Sequence, residues 1–269
     1  MITGIVSNCW KTQLDKGESL LALVGEAQQR GFTHVELRQG CLGEFDESAW
    51  ILANNSLASL KQSFPEIEFN LAVEFPFLSP EKNPYDSRVS EFIHAACMAN
   101  DGATPHLRLV DLKTTDAQLE SADISNAVES TVALTQTMIS LNGSLSLEHA
   151  LQSWKYFESL FLSARKSLGD SADRLQLCYD PCNLLAAGDN VDPVTITASL
   201  TASAISMVHF KQRKEGSIST ILEPGDVDWP AVCETLKQIN YTGPKYFEIA
   251  PSENIWDNLE TSRDYLQSL

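Results

Sequence analysis

Short apolar-alternating runs, each followed by a longer amphipathic stretch, recur along the whole chain. That rhythm restricts it to a parallel α/β sheet with helices as crossovers. The strand-like runs are Gly4–Asn8, Thr33–Arg38, Glu68–Glu74, Pro105–Val110, Ser144–Glu148, Leu175–Asp180, Ile205–Lys211 and Lys245–Ile249. Helical periodicity fills Ser19–Arg30, Glu47–Ser63, Ser87–Ala99, Ala122–Ser140, Ala150–Leu168, Val194–Ala202, Asp228–Ile239 and Trp256–Leu269. Ser19–Arg30, for example, places Leu20, Leu23, Val24 and Ala27 on one face. Asp228 is placed to cap its helix with Pro230 in the first turn, and Gly31 and Gly169 stand where helices end. Eight such units predict an α/β fold closed as a (β/α)8 TIM barrel. The open doubly wound alternative expects a glycine-rich turn after the first strand, and NCWKTQLDKG has no such pattern. No linker-like stretch divides the 269 residues, so residues 1–269 are expected to form a single barrel domain.

Side chains alternate faces along a strand, so each run separates into two sets. One set is apolar and suits the outer, helix-covered face: Val35 and Leu37, Leu71 and Val73, Leu107 and Leu109, Leu145 and Leu147, Leu175 and Leu177. The other set, assigned to the barrel interior, is polar. It comprises His34, Glu36 and Arg38, Asn70 and Glu74, His106 and Arg108, Ser144, Ser146 and Glu148, Gln176 and Asp180, His209 and Lys211, and Tyr246 and Glu248. A parallel sheet is covered on both faces, so enclosed polar groups need partners, an ion or a wet pocket. The charged members cluster late in their strands, at the end where barrel active sites are built.

Glu148, Asp180, His209 and Glu248 end the last four strands on the inward parity. Three carboxylates and one imidazole suit one divalent metal ion, with Mn2+, Mg2+ or Co2+ favoured and Zn2+ also accommodated. Without a cation the three acids would repel one another strongly.

The segments SLSLEHA, LCYDPCNLLAAGDN, VHFKQR, LEPGDVDWPAV and YFEIA, with GFTHVEL and LRLVDL nearer the N-terminus, resemble the sugar isomerase/epimerase superfamily of xylose-isomerase-like TIM barrels. The resemblance implies that Glu148, Asp180, His209 and Glu248 bind the metal. It also implies a small polyhydroxy carbonyl substrate, such as a ketose, an inosose or a hydroxy-keto acid. Glu148 and Glu248 would be the catalytic pair, removing and returning a proton through a metal-bound enediolate. Asn183, Lys211, Arg108 and Glu74 are the expected substrate contacts. For Arg108, an ion pair to Glu74 or Glu36 inside the barrel is the equal alternative. Two positions depart from the family pattern: Asn183 stands where epimerases often carry His, and Gln212 where Asp often follows the Lys. The same ligands also suit a dehydratase of the 3-dehydroshikimate or inosose type. An endonuclease IV-like repair enzyme and a non-catalytic binding protein are the remoter alternatives.

Bulk properties narrow the partners. Nineteen basic residues against 36 acidic ones leave a net charge of -17, which opposes nucleic acid and anionic membranes. The six cysteines form no CxxC pair, MITGIVSNCWK lacks the charge and apolar run of a signal peptide, and no long apolar stretch occurs. A cytoplasmic protein with reduced thiols is expected, with a homodimer as the base-rate oligomer.

Overall fold

A computed structural model describes residues 3–45, 50–79, 87–100, 104–120, 123–187 and 191–269. Eight parallel strands close into a barrel in the order β1-β10-β7-β6-β5-β4-β3-β2. They are β1 (Gly4–Val6), β2 (His34–Arg38), β3 (Glu68–Glu74), β4 (His106–Val110), β5 (Ser144–Glu148), β6 (Leu175–Tyr179), β7 (Ile205–Phe210) and β10 (Lys245–Phe247). The remaining pair, β8 (Arg213–Lys214) and β9 (Ser217–Ile218), forms a small antiparallel hairpin after β7. Among the described residues no helix is long and apolar enough to cross a membrane.

The helices cover the outer face. Val35, Leu37, Leu71, Val73, Leu107, Leu109, Leu145, Leu147, Leu175 and Leu177 are buried in one continuous core with the apolar faces of helices such as Leu20–Gln29 and Trp154–Leu168. Burial of that apolar area is the main stabilising contribution. Ser19 caps the first of these helices by accepting from Ala22 N, and Asp228 accepts from Ala231 N at 3.0 Å. Gly31 and Gly169 end their helices at φ +81° and +56°, where a Cβ would be strained.

Several expected boundaries move, each for a local reason. The first strand ends at Val6, because Ser7–Trp10 forms a 3-10 turn and the Ser7 hydroxyl accepts from the Arg38 amide at 2.9 Å. The helix expected at Ala150–Leu168 begins at Trp154. Before it, His149 bonds the Gln152 carbonyl at 2.6 Å, and Gln152 donates to the Asp111 and Thr114 carbonyls. Val194–Ala202 becomes Pro193–Ser199, capped by Asp192. Within the described residues, the second and fourth expected helices run Trp50–Ser63 and Ser125–Ser140, and their expected starts at Glu47 and Ala122 lie outside the described residues. The last helix is Ile255–Gln267. Strands also stop one residue short of Asp180, Lys211 and Glu248, which stand just past the strand ends at the mouth of the barrel.

One irregularity matters for the interior. Between β6 and β7 the register shifts: Leu177 pairs with Ile205, but Cys178 pairs with Met207, leaving Ser206 as an extra residue. This bulge resets the alternation of β7. Ser206 then joins an interior hydrogen-bond chain with Ser146 (2.8 Å) and His106 (2.6 Å from Ser146). Ile205 packs in the outer core, whereas Met207 packs inside with Val6, Cys178 and Tyr246.

Candidate metal centre

Each strand or strand end on the β5–β10 side delivers one charged group to the barrel mouth. Glu148 is the last residue of β5 and is 3% exposed. Asp180 follows β6 and serves first as a helix cap. Its Oδ1 accepts from Cys182 N (2.9 Å) and Asn183 N (3.1 Å), with Pro181 at the first helical position. An Asp-Pro pair is the local sequence that produces this geometry. The cap uses one oxygen and turns the other, Oδ2, toward the cluster. His209 on β7 is fully buried, and Glu248 follows β10.

These four residues converge. One ligand atom from each of Glu148, Asp180, His209 and Glu248 lies within 4.8 Å of all the others. Ligand atoms on opposite sides of an ion bound at about 2.1 Å stand about 4.2 Å apart, so small side-chain adjustments suffice for a common ion. His209 Nδ1 faces the three acids, 3.2 Å from Glu248 Oε2, 3.5 Å from Glu148 Oε1 and 3.9 Å from Asp180 Oδ2. At the centre of the cluster His209 Nδ1 makes no hydrogen bond, while Asp180 Oδ2 is met by Lys211 Nζ at 2.6 Å. An unpartnered buried polar atom is costly, and His209 Nδ1 is aimed at the point the three acids share. The charges agree. Four buried carboxylates (Glu36, Glu148, Asp180, Glu248) stand against two permanent cations, Arg108 and Lys211. With His209 deprotonated, the state that ligation requires, two negative charges remain, which one divalent ion would cancel. The donor set fits such an ion.

A second layer of residues fixes these four. Arg108, 1% exposed, donates through Nη2 to Glu36 Oε1 and through Nη1 to Glu148 Oε2, both at 2.5 Å. Its expected alternative of an ion pair is therefore realised with Glu36, and not with Glu74; both terminal nitrogens are engaged by acids of the interior. Asn70 donates to the other oxygen of Glu36 at 2.6 Å. His209 Nε2 lies 3.4 Å from Glu36 Oε1 and 3.3 Å from Cys178 Sγ. A carboxylate behind the imidazole sets the tautomer that leaves Nδ1 free to ligate. Lys211 Nζ sits 2.6 Å from Asp180 Oδ2 and 2.9 Å from Glu248 Oε2. Asn183 donates to Glu148 Oε1 (3.1 Å) and the His149 carbonyl (2.9 Å), so only its Oδ1 is left to accept from a substrate hydroxyl. Glu74 is apart from this cluster: it pairs with Lys113 at 3.0 Å and lines a neighbouring cleft with Gln39 and Phe92.

Titration follows the geometry. Burial alone would raise Glu248 and Glu36, but Lys211 and His209 hold Glu248, and Arg108 and His209 hold Glu36, well below the usual carboxylate range. Burial raises Asp180, and Glu248 and Glu148 add to the rise against the opposing Lys211, to about 6. Burial opposes protonation of His209, yet the carboxylates of Glu36 and Glu248 raise it well above its ordinary value. Cys178 itself is pushed by burial to about 12, so it remains a thiol. Glu36, Cys178 and His209 are also mutually close, but Arg108 already compensates Glu36 there.

Sequence reasoning placed Glu36 inside the barrel as one of two alternative partners of Arg108 but not behind His209; its parity was the available signal. Asn8, whose Nδ2 lies 3.4 Å from Glu248 Oε1, was read only as a strand end. Gln212 turns out to have a structural task. Its side chain donates to the Glu223 and Val227 carbonyls and accepts from the Arg213 and Val227 amides. It thereby clamps the loop that carries Trp229 against Phe210 (4.2 Å between rings) and the Lys211 carbonyl. Gln212→Ala is expected to cost about 2–4 kcal/mol in denaturant unfolding, because four backbone groups lose a buried partner. An unchanged midpoint would show that water replaces the clamp.

The structure is a closed parallel (β/α)8 barrel whose last four barrel strands bring three carboxylates and an imidazole to one point. The chain belongs to the xylose isomerase-like TIM barrel family, whose sequence model matches residues 25–269. No curated protein matches it in sequence at a significant level. Among solved structures, the zinc-bound IolI protein superposes with a TM-score of 0.70 at 15% identity, covering 100% of this chain and 99% of that one. The probable 3-DHS dehydratase AsbF of Bacillus anthracis gives 0.70 at 16% identity, covering 99% of each. A D-tagatose 3-epimerase-like protein gives 0.63 at 16%, covering 100% and 98%. At these identities the likeness establishes the fold.

Proposed function

We propose that this single-domain barrel is a divalent-metal-dependent isomerase or epimerase of a small polyhydroxy carbonyl compound. The observation that carries the reading is the convergence of Glu148, Asp180, His209 and Glu248, with His209 Nδ1 facing the three acids without a hydrogen bond. Those four residues would hold the ion. When bound, a divalent cation supplies Lewis acidity that makes the C–H between a carbonyl and a hydroxyl carbon easier to deprotonate.

The protein's own groups supply the proton traffic. Glu148 and Glu248 come from non-adjacent strand ends and line one cleft of about 120 Å3 with Asn183, Lys211 and Arg108. One carboxylate takes the proton from a bound carbon skeleton, and the other returns it at the opposite face or the next carbon. Glu248 is held as a carboxylate, ready to accept a proton, by Lys211. Glu148 is oriented from two sides by Arg108 and Asn183. Lys211, half of whose role is to hold Asp180, can also stabilise negative charge developing on a substrate oxygen.

The test has two parts. Purified protein titrated with Mn2+ is expected to bind one ion per chain, with affinity rising with pH. In the metal-free protein His209 holds a proton, and Asp180 gives up its own near pH 6. Ligation requires the neutral imidazole and the carboxylate, so protons are released, and affinity gains about tenfold per pH unit for each. An affinity that does not change between pH 6 and 8 would remove His209 from the ligand set. Loaded protein incubated with ketoses, inososes and 3-dehydroshikimate in D2O should incorporate deuterium at the exchanged C–H with the skeleton intact. Loss of water to a conjugated product would instead assign a dehydratase.

A further inference from the structure

The cleft over the candidate metal centre contains three cationic side chains, and they are not equivalent. Arg108 is buried against Glu36 and Glu148, and Lys211 against Asp180 and Glu248. Arg38, the last residue of β2 and partly exposed, lines the same cleft as Glu148, Asn183, Lys211 and Glu248. Its backbone amide is taken by Ser7, but its guanidinium has no ion pair or hydrogen bond among the described residues. Its inward neighbour in register is Ala72, which stands between Arg38 and Arg108 and contributes only a methyl. Among the described residues the guanidinium therefore keeps its five donors free, on the wall of a pocket whose other charged side chains are paired.

From this placement we infer that Arg38 anchors an anionic terminus of the substrate, so that the compound handled here is a hydroxy-carbonyl acid or phosphate and not a neutral sugar. The inference uses the proposed reaction only to locate the reacting carbons. A planar guanidinium matches a carboxylate or phosphate through two parallel hydrogen bonds, a contact a neutral hydroxyl cannot reproduce. The need for it is clear in a chain of net charge -17, whose field repels anions until a local cation offsets it. Arg38 forms no hydrogen bond or ion pair with Glu148, Asp180, His209 or Glu248, so its substitution leaves the partners that hold those four side chains in place.

Three three-carbon probes share a hydroxyketone and differ at one end: hydroxypyruvate, dihydroxyacetone phosphate and neutral dihydroxyacetone. Their dissociation constants are measured by calorimetry on wild-type, Arg38→Gln and Arg38→Lys protein, each with and without Mn2+. At least one anionic probe should bind wild type more tightly than dihydroxyacetone and lose about tenfold or more in Arg38→Gln. Dihydroxyacetone should stay within about twofold, and Arg38→Lys should recover part of the loss because it keeps charge without the fork. The probe that loses affinity identifies the terminus as carboxylate or phosphate. Any direct chelation by hydroxypyruvate persists in Arg38→Gln and so does not imitate the effect. Equal changes for all three probes, no change for any, or no preference for an anion in wild type would overturn the assignment. The comparison without Mn2+ keeps it separate from the metal reading: a failed ion titration with an intact Arg38-dependent preference removes only the latter.

Discussion

Glu248→Gln is expected to lower turnover of the Mn2+-saturated protein by about 10^3-fold, and Glu148→Gln by a similar factor, in deuterium-incorporation assays. Glutamine keeps the size and one acceptor oxygen of glutamate but cannot take up a proton near neutral pH. At position 148 its carbonyl can still accept from Arg108 Nη1, now 2.5 Å from Oε2, so the barrel is expected to remain folded. At position 248 it leaves Lys211 paired with Asp180 alone. Both variants also lose one anionic ligand, which is why the assay is run at saturating metal. Full activity in either variant would remove that residue from the proton path while leaving its place in the ion site to be read from the Mn2+ titration.

The second large effect concerns stability. Arg108→Met should destabilise the fold by about 3–5 kcal/mol, because it leaves Glu36 and Glu148 buried beside an apolar chain with their shared cation gone. Both acids are almost wholly inaccessible, at 0% and 3% exposure, so water cannot take over the role of the guanidinium. The check is urea unfolding of the metal-free protein, followed by the double variant Arg108→Met/Glu36→Gln. Removing one of the stranded charges should return part of the loss. A single variant as stable as wild type would mean that the two acids protonate or pair elsewhere at little cost. Because Glu36 also stands behind His209 Nε2 at 3.4 Å, the double variant should bind Mn2+ more weakly than wild type even where stability recovers.

The polar interior explains why this barrel depends on such pairs. Most of the stabilising apolar contact lies between strands and helices, in the continuous outer core. The inside is instead a set of linked charges and hydroxyls: Glu36 with Arg108 and Asn70, His106 with Ser146 and Ser206, Lys211 with Asp180 and Glu248. Such a network is stable only while its members remain satisfied. His209 Nδ1, which faces three carboxylates without a hydrogen bond, is one place where the network is left incomplete and where an added ion would fit.

Local sequence alone carried the alternation that makes strands, the helical spacing between them and the parity that sends Glu36, Arg108, Glu148, Asp180, His209 and Glu248 inward. Asp-Pro at 180–181 and Asp-Trp-Pro at 228–230 encode their caps, because those bonds close within three residues. These features depend on neighbours along the chain, and so they can be read from it. Which inward charge meets which could not be read in the same way. Arg108 reaches Glu36 across 72 positions and Glu148 across 40, and the choice of those over Glu74 follows from strand order and register. The bulge at Ser206, the use of Gln212 as a loop clamp and the freedom of Arg38 are decided the same way. Barrel closure sets the distances among groups far apart in sequence, and only those distances determine which charges cancel and which are left for a ligand.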